Sequence, residues 1–353
     1  KMIVARSKEL YSEFQSAKDM AVLYREHAQV RGVLNLLIKE RIPFNMNNPP
    51  SDNLLIHKHF LVQDMIGIMQ TMIDLGSPYN VEEYLYKVCP FMGAKFAKSL
   101  ADEMRRQSTL PLQQRKQLSV LIKERGKGNS NRIILECYRA VHDSENKKDN
   151  FDMINTIYKY YKSAYLDWYL KNNPDEIDRC DEALEYLMSK ESIGYQGLKN
   201  EILDDTNWTN THHNFTLGVK LRTFHTSKGL EWNEVYILPI SNKVSPKANI
   251  LNKFSEKDKL EYIEEERRLF YVACTRAISN LYVFYEEDSP QDKNIFIEEF
   301  KKAVKETTIE LESSKREISD NKEIEDREDI EEKIMPDIKE EVKPGIIPMP
   351  VYN

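Results

Sequence analysis

The sequence predicts an α/β fold in which a parallel sheet, with helices on both faces, is interrupted by a mostly helical insertion. Short apolar runs followed by helical periodicity occur near the start of the chain and again after residue 215. The stretch from about 96 to 215 lacks strand signals. Apolar runs that alternate with helices indicate parallel strands joined by helical crossovers. The 353 residues are 41% hydrophobic, which is enough for a substantial core.

The first predicted elements are a strand and a helix. The run "MAVLY" (20–24) is short and apolar, as in a buried strand. The following "EHAQVRGVLNLLIKE" carries apolar residues at helical spacing. These residues are Val30, Val33, Leu34, Leu37 and Ile38.

The same rhythm returns after residue 215. In order, the sequence predicts a strand at "LGVKLRTF", a turn or short helix at "TSKGLEW", a strand at "EVYILPI", a helix at "EEERRLFYVACTRA" (264–277) and a strand at "NLYVFY". Within that helix, Leu269, Val272, Ala273 and Arg276 share one side, which we expect to point inward. An inward guanidinium needs an anion, because it stays charged and is costly to desolvate.

Composition limits the classes of protein that fit. No run of about 18 apolar residues occurs, and the charged start "KMIVARSKEL" is unlike a signal peptide, so we expect a cytoplasmic protein without a membrane partner. The four cysteines stand singly, which suggests neither a zinc cluster nor disulfides. Residues 305–343 hold 15 acidic and 8 basic side chains, so the rest of the chain is neutral. Neutral charge neither requires nor excludes a DNA groove.

Three segments together resemble the motifs of a known family. "MAVLYREHAQVR" (20–31), "LRTFHTSKGLEW" (221–232) and "EEERRLFYVACTRA" resemble motifs IV, V and VI of the UvrD/Rep/PcrA-type superfamily 1 DNA helicases, in that order. The resemblance covers most of residues 16–286. It implies the second RecA-like lobe, a P-loop NTPase-type sheet, interrupted by the insertion called 2B.

The resemblance sets the expected domain organisation. Residues 1–95 would form the first part of the second RecA-like lobe, 96–215 the helical 2B-like insertion and 216–305 the remainder of the lobe. Residues 306–353 would form an acidic tail, disordered or a loosely held helix. Docking of a protein partner through this tail is the alternative.

Tyr24 and Arg25 end the first predicted strand, where ligands of open α/β sheets bind. The resemblance implies that Tyr24 stacks on the adenine of ATP and that Arg25 reaches the terminal phosphate. The structural alternative is that Tyr24 caps the core and Arg25 pairs with an internal carboxylate.

By the same resemblance, Arg276 is an arginine finger that stabilises the transferring γ-phosphate. Glu265, the carboxylate nearest to it on the same side of the helix, lies eleven residues earlier, roughly 16 Å along the axis. A carboxylate from elsewhere in the chain remains the alternative. We expect Arg25 and Arg276 to converge at one edge of the sheet.

In "HTSKGLEW", the resemblance implies that Glu231 accepts from the ribose hydroxyls, whereas Thr223 and His225 face single-stranded DNA. Thr226 or Ser227 is expected to cap the start of a helix. The alternative is a surface turn with a solvated glutamate.

The insertion contains a basic stretch, "QQRKQLSVLIKERGKGNSNR", in which Arg115 and Lys116 are candidate phosphate contacts. A solvated helix face is an equal alternative. The loop that touches duplex DNA in the family would fall near "KVCPFMGAKF", where only Pro90 and Gly93 resemble it.

The sequence contains no G-x-x-x-x-G-K-[ST] loop and no strand ending in an Asp-Glu pair. We therefore expect the chain alone not to hydrolyse ATP, and interpret it as the C-terminal part of an ATP-dependent DNA helicase that moves 3′ to 5′. The missing N-terminal motor lobe would hold Mg²⁺, and single-stranded and junction DNA would be partners. The alternatives are a non-enzymatic DNA- or protein-binding module derived from a helicase and the motor of a recombination helicase-nuclease.

Overall fold

The computed structural model describes residues 1–74, 77–89, 92–111, 114, 120, 130–145, 150–286, 293–308 and 346–350. The chain divides into two compact units. The first, here called the sheet unit, comprises Lys1–Pro50 and Thr211–Asn353, and the second, the helical unit, comprises Ser51–Asn210.

The helices whose bounds lie within the described residues are, in chain order, α1 (Met2–Phe14), α2 (His27–Lys39), α3 (Phe60–Ile73), α4 (Pro78–Tyr84), α5 (Ala94–Ser108), α6 (Ser130–Ser144), α7 (Phe151–Tyr161), α8 (Asp167–Asn172), α9 (Ile177–Met188), α10 (Gly194–His212), α11 (Ala248–Leu251), α12 (Glu256–Cys274) and α13 (295–308). A π-helical turn, Lys162–Leu166, joins α7 to α8. Short 3₁₀ turns connect several of the others.

The strands belong to one sheet in the sheet unit. They are β1 (Met20–Tyr24), β2 (Phe44–Asn45), β3 (Val219–Thr223), β4 (Trp232–Ile240), β5 (Ala277–Tyr285) and β6 (Ile346–Pro350). Their spatial order is β2-β3-β1-β4-β5-β6. The first five are mutually parallel and β6 is antiparallel to β5.

The central strand β1 explains why the fold class was readable from sequence. All five of its residues are buried, and it pairs with β3 on one side and β4 on the other. A parallel strand covered on both faces reads as a continuous apolar run. The predicted α/β class is confirmed.

Helices pack on both faces of this sheet. The Ser7 hydroxyl of α1 lies 3.4 Å from the Met20 sulfur of β1. The next residue, Ala21, belongs to a core cluster with Phe270 and Ala273 of α12. Because successive side chains of a strand point to opposite faces, α1 and α12 cover different faces.

The helical unit has a core of its own, and its described residues form no strand. Met65 of α3 and Leu198 of α10 belong to the same buried cluster. This unit begins at Ser51, so the predicted start of the insertion at residue 96 falls inside it. Apolar helices precede residue 96 as well, so composition alone does not mark the boundary.

One described segment of the predicted disordered or helical tail, Ile346–Pro350, is a strand. Residues 295–308 form α13, and Ile346–Pro350 pairs antiparallel with β5 as the edge strand β6. Two of its five residues are prolines, which lack a backbone N–H and are tolerated in strands at a sheet edge. Residues 309–345 lie outside the described part.

No helix in the described part of the chain is both long and apolar enough to span a membrane. The four cysteines are free thiols, and no group of three or more His, Cys, Asp or Glu side chains among the described residues could hold a metal ion.

Candidate nucleotide and nucleic-acid site

The turn that follows β1 is fixed from its backbone. The Gln29 side-chain carbonyl accepts hydrogen bonds from the backbone N–H groups of Arg25 and Glu26, both at 2.9 Å. The Gln29 amide in turn donates to the carbonyl of Pro239 in β4, at 2.7 Å. The capping of α2 thus places Arg25 beside the carboxyl end of β4.

The Arg25 guanidinium is paired with a carboxylate of this chain. Its Nε and Nη2 donate to Glu266 of α12, with shortest distances of 2.9 and 2.7 Å. This hydrogen bond raises the pKa of Arg25. Burial alone would raise the pKa of Glu266, but hydrogen bonds from Arg25 and Ser245 outweigh burial and hold it below its ordinary value. The ion pair is the one foreseen as the structural alternative.

Tyr24 also follows the structural alternative, in which its side chain belongs to the core. It is 2% exposed, and burial raises its pKa to about 12. Its ring meets the His27 ring edge-on, with centroids 5.6 Å apart. An adenine would have no open ring face to stack on in this arrangement.

The helix that precedes Arg276 ends earlier than predicted. α12 ends at Cys274. Thr275 is the C-cap residue, and its backbone N–H donates a hydrogen bond to the Tyr271 carbonyl. Arg276 therefore lies in the two-residue link to β5, outside the helix. The predicted buried face of Leu269, Val272, Ala273 and Arg276 is wrong except for Ala273.

The face of α12 that is buried consists of Glu266, Phe270 and Ala273. Leu269 and Val272 are only partly buried and line a cavity of about 620 Å³. The prediction chose the wrong side of the helix as the buried one. Apolar residues lie on both sides, and only packing against the sheet determines which side is buried.

Arg276 donates to neutral oxygens. Its Nε donates to the Val272 carbonyl at 2.8 Å, its Nη1 to the Leu230 carbonyl at 3.0 Å and its Nη2 to the Thr275 hydroxyl at 3.0 Å. Within the described part of the chain it forms no ion pair. The alternative of an internal carboxylate therefore finds no support there.

The two arginines do not share an edge of the sheet. Arg25 follows the carboxyl end of β1, whereas Arg276 precedes the amino end of β5 and its carbonyl accepts from Trp232 at the amino end of β4. The expected convergence at one edge is wrong. The two arginines are connected through α12, because Arg25 pairs with Glu266 of this helix and Arg276 follows its end. Glu266 and Arg276 are ten residues apart, roughly 15 Å at helical rise.

The segment between β3 and β4 is a compact turn. The Thr223 and Thr226 hydroxyls lie 3.0 Å apart, and the backbone N–H of each residue donates to the hydroxyl of the other. The Ser227 hydroxyl donates to the Phe224 carbonyl at 2.7 Å. The predicted cap is wrong, because His225–Ser227 is a single 3₁₀ turn without a side-chain cap.

Gly229 turns this segment back toward β4. Its φ of +78° is in the left-handed region, which a residue without Cβ adopts at least cost. Glu231 follows immediately before Trp232 and is exposed, with no hydrogen bond or ion pair to a described residue. His225 is exposed as well, and its ring makes no hydrogen bond within the described chain.

One cavity borders this turn and α12. His225 and Lys228 line it from the turn, and Glu265, Arg268 and Leu269 line it from the helix. Lys228 and Arg268 have no carboxylate within 4.0 Å among the described residues. The cavity is thus a basic groove with apolar walls, which suits an anionic ligand.

Most of the candidate DNA contacts in the insertion fall outside the described part of the chain. Arg115, Lys116 and Pro90 lie outside the described residues. Gly93 is described and precedes α5 as its N-cap. The duplex contact stays a prediction.

Glu266 and Ser245 were missed by the sequence analysis. Ser245 donates to Glu266 at 2.5 Å, and both are buried. A signal for Glu266 existed, because Glu266, Phe270 and Ala273 have the i, i+4, i+7 spacing of a buried helix face. A carboxylate in such a face needs a cationic or donating partner.

The fold and the site define a class of protein. A parallel sheet with helices on both faces, interrupted by a helical unit, presents a strand-end arginine and a second arginine without an internal anion. This is the RecA-like class of α/β domains. The chain belongs to the UvrD-like helicase C-terminal domain family, whose sequence model matches residues 1–288.

Individual relatives agree with this family. The chain is 25% identical over 296 residues to the ATP-dependent DNA helicase PcrA of Staphylococcus epidermidis, covering 78% of this chain and 38% of that protein. It is 25% identical over 284 residues to PcrA of Leuconostoc citreum, covering 75% and 36%. It is also 46% identical over 66 residues to the putative ATP-dependent DNA helicase YjcD of Bacillus subtilis, covering 19% and 9%. The chain thus spans less than two fifths of the PcrA relatives.

Proposed function

We propose that this chain supplies the second motor lobe, with its insertion, of an ATP-dependent DNA helicase that translocates 3′ to 5′. The family and the names of its relatives support the helicase class. The polarity and the residue roles follow from the resemblance of the three motifs.

The observation that carries the proposal is the state of Arg276. Its guanidinium is oriented by three neutral oxygens and has no carboxylate partner among the described residues. Neutral acceptors leave its positive charge uncompensated. Arg25 and Arg276 lie at opposite edges of the sheet, so Arg276 has to leave these neutral oxygens and extend toward Arg25 if both are to contact one terminal phosphate, in the manner of an arginine finger.

The other proposed contacts lie on the segment between β3 and β4. Glu231 is exposed immediately before β4 and can accept hydrogen bonds from ribose hydroxyls. Thr223 and His225, at the opposite end of the turn, would contact single-stranded DNA. Because one short turn carries both sets, movement at the nucleotide would reach the DNA directly.

ATP chemistry needs parts that this chain lacks. Phosphoryl transfer depends on a phosphate-binding loop and on Mg²⁺ bound beside it. The sequence contains no G-x-x-x-x-G-K-[ST] loop. Mg²⁺ would be held by the first motor lobe, and the purified chain would show negligible ATPase activity.

Tyr24 contacts the adenine in this proposal only after its ring becomes exposed. Closure of the lobes around a nucleotide is the step that would expose it. Arg25 contacts the terminal phosphate through the part of its guanidinium that Glu266 leaves free.

The decisive experiment is Arg276→Ala in the full-length protein. We expect DNA-stimulated kcat for ATP hydrolysis to fall by roughly 10³-fold or more, as for other arginine fingers. Arg106→Ala is the control, because it removes an exposed arginine that pairs with Glu103 in the helical unit. An unchanged kcat in Arg276→Ala would remove this residue from the site.

A second assay separates the enzyme from the binding-module alternative. Full-length protein that binds single-stranded DNA but does not hydrolyse ATP would contradict the motor assignment. DNA-stimulated turnover by the isolated chain would contradict the need for a first lobe.

A further inference from the structure

Glu266 is an unusual residue for the buried face of a helix. It is 2% exposed and lies one turn before Phe270, which packs in the core of the sheet unit. A carboxylate at such a site is costly unless it is paired and hydrogen-bonded. A role that an apolar residue would not fill would account for a carboxylate at this position.

The geometry of its contact with Arg25 is one-sided. Glu266 accepts from Nε and Nη2 of the guanidinium, at shortest distances of 2.9 and 2.7 Å. Nη1 of Arg25 has no hydrogen-bond partner among the described residues. The side chain of Arg25 is 26% exposed, so solvent or a ligand can reach it.

Glu266 is itself held from behind. The Ser245 hydroxyl donates to Oε2 of Glu266 at 2.5 Å. The Asn294 amide donates to the Ser245 carbonyl at 2.8 Å, and Ser245 and Asn294 are each 1% exposed. A buried chain of three residues thus fixes the carboxylate.

The backbone of Arg25 is fixed independently through Gln29. With the main chain and two guanidinium nitrogens fixed, the free Nη1 has a defined direction. An arginine held in this way loses little side-chain entropy when it meets an anion.

We propose that Glu266 is the positioning residue for Arg25, holding its guanidinium side-on so that Nη1 is presented to the terminal phosphate of a nucleoside triphosphate. This inference rests on the proposed function, which places Arg25 at that phosphate. Glu266 acts through Arg25 and does not touch the nucleotide.

The test uses four variants of the full-length protein. Glu266→Gln keeps the shape of the side chain but removes the charge and one of the two acceptors. Glu261→Gln is the matched control, because it makes the same change at an exposed position of the same helix. Arg25→Ala and the double variant Arg25→Ala/Glu266→Gln complete a cycle.

We expect Glu266→Gln to lower kcat for ATP hydrolysis up to about 10²-fold, the order of loss that follows from a small misplacement of a reacting group. KM for ATP should change much less. In the Arg25→Ala background, Glu266→Gln should cause no further loss of kcat. The control Glu261→Gln should keep the kcat of the parent protein.

Other outcomes overturn the inference. If Glu266→Gln behaves like Glu261→Gln while Arg25→Ala is impaired, Glu266 does not position Arg25. If the losses in the double variant multiply, Glu266 acts independently of Arg25. If Arg25→Ala itself keeps its kcat, the phosphate contact of the proposed function fails instead.

Folding is checked separately by thermal denaturation of each variant. Should Glu266→Gln fail to fold, Ser245→Ala is the second variant, since it removes a single hydrogen bond to Oε2 of Glu266. We then expect a smaller fall in kcat that also vanishes in the Arg25→Ala background. A fall that persists there would overturn the inference.

Discussion

Arg276 and Glu231 of the sheet unit differ from the pair Lys87–Asp64 of the helical unit in whether the charged side chains have partners. In the sheet unit, Arg276 and Glu231 lie at one edge of the sheet without a charged partner among the described residues. In the helical unit, Lys87 is 7% exposed and its Nζ lies 2.7 Å from Asp64. A buried pair with no free donor, such as Lys87 and Asp64, holds structure together, whereas a positioned charge without a partner, such as Arg276, indicates a ligand.

The buried pair of the helical unit is satisfied from several sides. The Tyr161 hydroxyl donates to the second oxygen of Asp64 at 2.9 Å. The Lys87 ammonium also lies 5.2 Å from the Tyr84 ring centroid and 5.5 Å from that of Tyr165. This arrangement leaves no group available for a ligand, so it is a structural pair.

The largest effect that would sharpen this contrast is expected for Asp64→Ala. Removal of the carboxylate leaves Lys87 buried without its counter-charge, which typically costs 3 to 5 kcal/mol, here taken as about 4 kcal/mol of unfolding free energy. Chemical denaturation of the purified chain would measure it. Asp102→Ala, which breaks an exposed pair with Arg105, should change stability little. Equal losses in both variants would show that burial of the pair is irrelevant.

A smaller effect is expected from His57, whose ring is 1% exposed in the helical unit. Burial lowers its pKa from 6.5 to about 4. The His57 ring therefore stays neutral in the folded state, whereas in the unfolded state it takes up a proton below pH 6.5. Stability should fall by about 3 kcal/mol as the pH drops from 6.5 to 4, since one pKa unit corresponds to about 1.4 kcal/mol.

Denaturation of the parent chain and His57→Phe across this pH range would test the prediction. The variant should lose the share of the pH dependence that comes from this residue. An identical slope in both proteins would show that His57 is not the group that titrates.

The smallest effect is expected at the exposed edge of the sheet unit. His225→Ala should weaken binding of single-stranded DNA by about 1 kcal/mol, the size of one hydrogen bond, without lowering stability. Fluorescence anisotropy with a labelled oligonucleotide and the full-length protein would measure it. His142→Ala, an exposed histidine of the helical unit, is the control. Comparable losses in both variants would contradict a specific contact at His225.

The parts of the fold that the sequence predicted are those with a dominant local pattern. β1 and β4 are buried on both faces, so each reads as one apolar run. The start of the helical unit at Ser51 was not predicted, because apolar helices lie on both sides of residue 96. The strand β6 was not predicted, because it contains prolines and follows a charged segment. Its formation depends on pairing with β5, which a local pattern does not show.

The site was predicted in part for the same reason. That Arg276 lacks a carboxylate within its own segment follows from spacing along the chain. Its position outside α12 depends on where the helix ends, and helix ends are poorly specified by periodicity. The pair between Arg25 and Glu266 joins residues 241 positions apart, which no local pattern can show.

The antiparallel strand β6 has a consequence for the protein in concentrated solution. It covers the edge of β5, which is nine residues long and would otherwise offer a row of unused backbone donors and acceptors. At the other border of the described sheet, β2 is only two residues long. Neither border gives a neighbouring molecule a long template for strand addition, which protects the protein against edge-to-edge aggregation.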